Sequence, residues 1–155
     1  EGPFGMKRAN VLGGLLLAVA VALGAVREFL FVNLNYELDF LEHHRDRTYA
    51  HSMFRSWVHG WDASDLRLCK WLLSLGFMAA ILGLTIAVAR VRFGHHQYGR
   101  PIALTFLVIG SLALLFHALA GWSPPLEAVS IKLLHALQYP VPLLVVWAAS
   151  WRRTA

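Results

Sequence analysis

The sequence predicts an all-α integral membrane protein, a four-transmembrane-helix bundle with a short amphipathic interfacial helix in its first external loop. Three observations carry that prediction. Of the 155 residues, 57% are hydrophobic and only 15% charged, against about 25% charged in an ordinary soluble domain. The apolar residues gather into four runs, each near the roughly 20 residues a helix needs to cross a bilayer. Pro101 and the pair Pro124-Pro125 stand at the starts of the third and fourth runs, where a missing N–H costs nothing and φ is already helical.

A single membrane domain is expected over residues 6–155, because Glu1 to Gly5 precede a Met6-Lys7-Arg8 that reads as a natural start and look like a remainder of expression. The first span covers residues 11–31. At about 1.5 Å per residue Arg8 and Arg27 lie roughly 28 Å apart, so both can reach headgroups. A cleaved signal peptide is the rival reading of this run; its length, and the lack of a small-x-small site before polar sequence, favour a retained span. The remaining spans are expected at residues 71–89, 102–121 and 126–151, with an external loop over residues 33–70. Asp62 or Ser64 can cap the second span by accepting from unpaired amides.

Orientation follows from the short segments. Lys7, Arg8, Arg90, Arg92, Arg100, Arg152 and Arg153 fall on one side, which the positive-inside rule makes cytoplasmic. Both termini are then cytoplasmic, in what reads as a bacterial inner membrane. The formal charge of +5 is read as topology, because no basic stripe interleaved with aromatics points to nucleic acid. Cys69 is the sole cysteine and excludes an internal disulfide or a Cys-x-x-Cys site.

Two spans carry small-residue stripes, Gly14, Ala18, Ala22 and Ala25 in the first and Gly76, Ala80, Gly83 and Ala87 in the second. Such stripes let helix backbones approach closely in lipid. Packing of the first two helices on each other is one use; self-association or a membrane-protein partner is the other.

In the external loop, Val32, Leu34, Tyr36, Leu38 and Phe40 alternate with polar residues at a strand's period; the stretch is expected as an extended or helical collar at the interface. After it, Ala50, Met53, Phe54, Trp57 and Trp61 recur at helical spacing, the pattern of a short helix resting on the leaflet with its tryptophans at headgroup level.

Eight histidines are the feature with most chemistry. His117 and His135 fall within the third and fourth spans, at depths differing by roughly one helical turn. Both are expected to turn toward the interior or an outer cavity roofed by the loop, because a lipid-facing imidazole is poorly solvated. With His43, His44, Asp46 and His51 from that loop they form a candidate set for a divalent metal such as zinc, copper or iron, and opposed histidines can also hold a haem. The spacing reproduces no metal signature, however, and an interfacial polar cluster needs the same residues. His95 and His96, beside Arg92 and Arg100, suit contact with anionic headgroups.

Arg27 and Glu28 point about 100° apart on a helix. Arg27 is expected to reach outward, and Glu28 either to stay at the interface or to turn inward toward Lys132 or a histidine, as part of a polar cavity. Tyr139-Pro140-Val141-Pro142 must bend the fourth helix by freeing the carbonyls of Ala136 and Gln138, and Gln138 could line a ligand site there.

No serine elbow, phosphate loop or paired intramembrane carboxylates appear, so an enzyme would depend on the outer histidines. The reading that results is a non-catalytic accessory subunit or a ligand- or lipid-binding component, homo-oligomeric or held by a partner. A metal-dependent membrane enzyme and a small oligomeric channel or transporter are the alternatives. The layout, with Arg27-Glu28-x-Leu30-Phe31 closing the first span and a proline-bearing last span, resembles small four-helix membrane proteins encoded beside bacterial exosortases. That likeness covers most of the chain and assigns no residue a role.

Overall fold

The computed structural model describes residues 3–94 and 96–151. Helix α1 runs Pro3–Glu42, α2 Ser52–Trp57, α3 Ala63–Phe93, α4 Gly99–Leu119, α5 Pro124–Gln138 and α6 Val141–Trp151. Three helices, α1, α3 and α4, are long and apolar enough to cross a membrane, and α5 with α6 supplies the fourth span, bent by 54° at the break. The chain is therefore a small polytopic membrane protein, with a short helix between its first two spans. No more than 28% of the most apolar window of any of the three long helices is buried within the chain, so the remaining surface has to suit lipid.

Length explains the longest elements. The 40 residues of α1 and the 31 of α3 measure roughly 60 Å and 46 Å at a helical rise, against a hydrocarbon core of about 30 Å. Both must project beyond the bilayer. The predicted collar is accordingly plain helix through Glu42, and its strand-like alternation does not describe its burial. Val32 and Tyr36 are exposed while Phe31, Leu34 and Leu38 are buried, a 3–4 spacing that selects one helical face.

That face continues back through Arg27, Gly24, Ala20 and Gly13, all buried. The predicted stripe lies elsewhere: Gly14, Ala18, Ala22 and Ala25 are exposed, roughly 140° around the helix from the buried seam at 100° per residue. Gly76 and Gly83 are likewise exposed, and a Cβ added at Gly14, Gly76 or Gly83 would meet nothing within 4 Å. At those positions the small residues do not serve helix packing inside the chain.

The chain divides into two compact units, one from Leu23 to Phe77 and the other comprising the residues up to Ala22 and from Met78 on. In the second, α4 and α5 form an antiparallel hairpin. Pro124 starts α5 as the sequence predicts, and the buried Ser130 Oγ donates to Ala113 O at 2.7 Å. Arg92 ties α1, α3 and α6 together, its Nε donating to Ser150 Oγ at 2.8 Å and its Nη1 to Asn10 Oδ1. Its guanidinium lies 4.6 Å from the centroid of the Trp147 ring, the same ring that a Cβ on Gly13 would strike. The predicted bend falls at Tyr139-Pro140, where α5 closes with Tyr139 N–H donating to His135 O.

Candidate functional site

Unlike the other unit, the Leu23–Phe77 unit surrounds its polar groups with a built frame. Leu34 and Leu38 of α1, Phe54 of α2, Val58 at the end of α2 and Leu66 of α3 form its buried core. Asn33 fastens the segment after α1 to the helix: its Nδ2 donates to Phe29 O at 2.7 Å, and its Oδ1 accepts from the His51 N–H at 2.5 Å. His51 then caps α2, Nδ1 accepting from the Met53 N–H. Phe54 and Val58 face inward while Met53, Trp57 and Trp61 stay exposed, which is how an amphipathic surface helix of one and a half turns divides its side chains.

Asp62 is the cap predicted for α3. Its Oδ1 accepts from the Ser64 hydroxyl at 2.6 Å, the Ser64 N–H at 2.8 Å and the Asp65 N–H at 2.9 Å. The Ser64 hydroxyl above all, with the Asp65 amide, holds this carboxyl below the ordinary carboxylate value.

Two cavities meet at Trp61. One, of about 290 Å³, is lined by Glu37, Arg55, His59 and Gly60 together with Trp61. Its floor is acidic: the Glu37 side chain is only 12% exposed, and its Oε2 accepts from Thr48 Oγ1 at 2.9 Å and lies 3.9 Å from Arg55 Nε. Ser56 also borders this cavity, but its hydroxyl already donates to Met53 O. The other cavity, of about 320 Å³, is a groove of Asp65, Leu68, Cys69 and Leu72 on α3, with Trp61 as its opposite wall. The sequence pointed to Trp61 only as a member of a helical pattern and gave Arg55 and His59 no role in a site. The turn that assembles them depends on Gly60 at φ +83°, a left-handed conformation glycine adopts without strain.

The predicted histidine set is dispersed. Among the described residues no group of three or more His, Cys, Asp or Glu side chains could hold a metal ion. His43 turns back on Asp39, Nδ1 to Oδ1 3.1 Å, and His51 is used as a cap. His44 and Asp46 line a third cavity, of about 440 Å³, with Arg45, Arg47 and Tyr49; two guanidiniums beside them repel a divalent cation. His117 pairs with Glu127 across the α4–α5 turn, Nδ1 to Oε2 3.0 Å, and His135 meets the Tyr139 ring edge-on at 6.0 Å between centroids. Both imidazoles are exposed on their helices, so of the two expected placements neither takes the interior one, and each has a local partner. His95 lies outside the described residues, as do Arg152 and Arg153.

Arg27 departs from its expected outward reach, while Glu28 keeps an exposed side chain, as its interfacial alternative has it. Arg27 is 2% exposed and Glu28 57%, with the guanidinium 4.6 Å above the Phe31 ring and 3.7 Å from Glu28. A broad, weakly hydrated cation over an aromatic face tolerates burial better than a carboxylate does. Gln138 is buried at the α5–α6 bend and bonded there. Glu28 thus presents an exposed side chain, and Gln138 sits at the bend as a buried polar group.

No protein-family model matches the chain, and neither a curated protein nor a solved structure matches it.

Proposed function

We propose that this chain works without chemistry of its own, as an accessory subunit or lipid-binding component of a membrane, associating with a second copy or a partner's helix through the outward small-residue face of α1. The observation that carries this reading is the exposure of Gly14, Ala18, Ala22 and Ala25 on a face separate from the buried seam of the same helix. Lipid tails give helices no hydrophobic reason to associate, so close backbone approach over small residues is a principal source of attraction between spans. The exposed apolar remainder of α1 meets lipid without needing such a face.

The test is Förster transfer between donor- and acceptor-labelled copies in lipid bilayers. Ala18→Ile should weaken association by about ten-fold, the equivalent of roughly 1.4 kcal/mol of lost packing. Val19→Ile, exposed but about 100° around the helix, should leave it unchanged. Absence of transfer at every protein density, together with lipid turnover by metal-bearing purified protein, would reject the reading in favour of a metal-dependent enzyme.

A further inference from the structure

We infer that the Leu23–Phe77 unit holds one phospholipid of the class whose headgroup carries both a phosphate and an ammonium. The headgroup occupies the Glu37–Arg55–His59 cavity and one acyl chain lies in the Leu68–Leu72 groove. This deepens the lipid-binding part of the function proposed above and rests on it.

The two cavities have the shapes and chemistries of the two ends of such a molecule, and Trp61 lines both. Tryptophan suits that position, since its ring is apolar while its N–H remains available at headgroup level. On the polar side Arg55 is half exposed, and a guanidinium has five N–H donors matched to phosphate oxygens. His59 is exposed beside it. The acids complete the match: Glu37 forms the floor of the cavity, and Asp65 stands at the head of the groove. Cation and carboxylates so close together suit a zwitterion. A purely anionic headgroup would gain Arg55 but face the Glu37 carboxylate 3.9 Å from it.

The apolar side continues the argument along α3. Leu68, Leu72 and Leu75 are all more than half exposed, at a spacing of four and three that places them in one strip. From Asp65 to Leu75 the strip descends roughly 15 Å at helical rise, half a hydrocarbon core and the reach of one acyl chain. Free phosphate would fill the polar cavity and leave this groove vacant.

Native mass spectrometry of the whole protein released from nanodiscs of equal phosphatidylethanolamine and phosphatidylglycerol tests the site. One retained phosphatidylethanolamine per chain is expected, enriched about ten-fold over phosphatidylglycerol, the worth of one hydrogen bond to a charged group. Glu37→Gln should abolish the enrichment, and Arg55→Gln should lower the retention of both lipids. Leu68→Trp should remove the retained lipid by filling the groove without touching a polar group, with helicity checked by circular dichroism. In the unsubstituted protein, a phosphatidylethanolamine with a photoreactive acyl chain should label residues 61–75. Adducts in the ratio of the bulk mixture, enrichment of phosphatidylglycerol, displacement by excess inorganic phosphate, or labelling spread evenly over the spans would each overturn the inference. Energy transfer between Leu68→Trp copies should equal that of the parent; loss of transfer in the parent with lipid retention intact would defeat the association reading alone.

Discussion

The Leu23–Phe77 unit and the rest of the described chain are stabilised in different ways. The first packs large side chains, Leu34, Leu38, Phe54 and Leu66, into a core and carries two ion pairs on its outside, Arg67 with Glu42 at 2.8 Å and Arg45 with Asp39 at 2.6 Å. The second also buries large side chains, among them Ile81, Val88, Leu137 and Leu143, and adds contacts of another kind. Its helices meet where glycine admits an aromatic ring, as Gly13 does for Trp147, and where a hydroxyl reaches a backbone carbonyl, as Ser130 does for Ala113. Where water is at hand, apolar burial drives packing and charges can stay solvated; where lipid surrounds the helices, fit and internal hydrogen bonding remain.

The comparison can be broken at its strongest point first. Leu34→Ala removes a fully buried side chain from the core and should cost about 2–5 kcal/mol in a detergent unfolding titration. Gly13→Leu should cost about 1–3 kcal/mol by overpacking, because Trp147 is confined between α1 and the Arg92 guanidinium. Its effect should appear in protection of α6 amides from exchange. Arg67→Ala, which breaks an exposed pair, should change stability by no more than about 1 kcal/mol and less in high salt. A larger loss from Arg67→Ala than from Leu34→Ala would mean that the Leu23–Phe77 unit depends on its charges, and the contrast drawn above would fail.

The spans, the helix-starting prolines, the Asp62 cap and the bend at Pro140 were legible because each depends on a few neighbouring residues. The helical continuation to Glu42 was obscured by an accidental alternation of polar and apolar residues. Only the tertiary core shows that Leu34 and Leu38, and not Tyr36, are the buried members. Histidine chemistry misled for a related reason. An imidazole has local uses as cap, hydrogen-bond partner or ring contact, and His51, His117 and His135 each take one. The fate of Arg27 could not be read locally either, since it turns on the Phe31 ring one helical turn away. The Trp61 cavities join residues from α1, α2 and α3 through a glycine turn, and no spacing rule connects Glu37 to Leu72.

The bent last span bears on how the chain crosses a bilayer. With 15 residues in α5 and 11 in α6, the halves measure roughly 22 Å and 16 Å, and neither alone spans a hydrocarbon core of about 30 Å. Joined at 54° they reach about 35 Å end to end by the same rise per residue. The first half to leave the ribosome contains Glu127, Lys132 and His135; the second, Val141–Trp151, has no ionisable residue. A span divided in this way reaches the length a bilayer requires only when α5 and α6 are taken together, so each half depends on the other to cross.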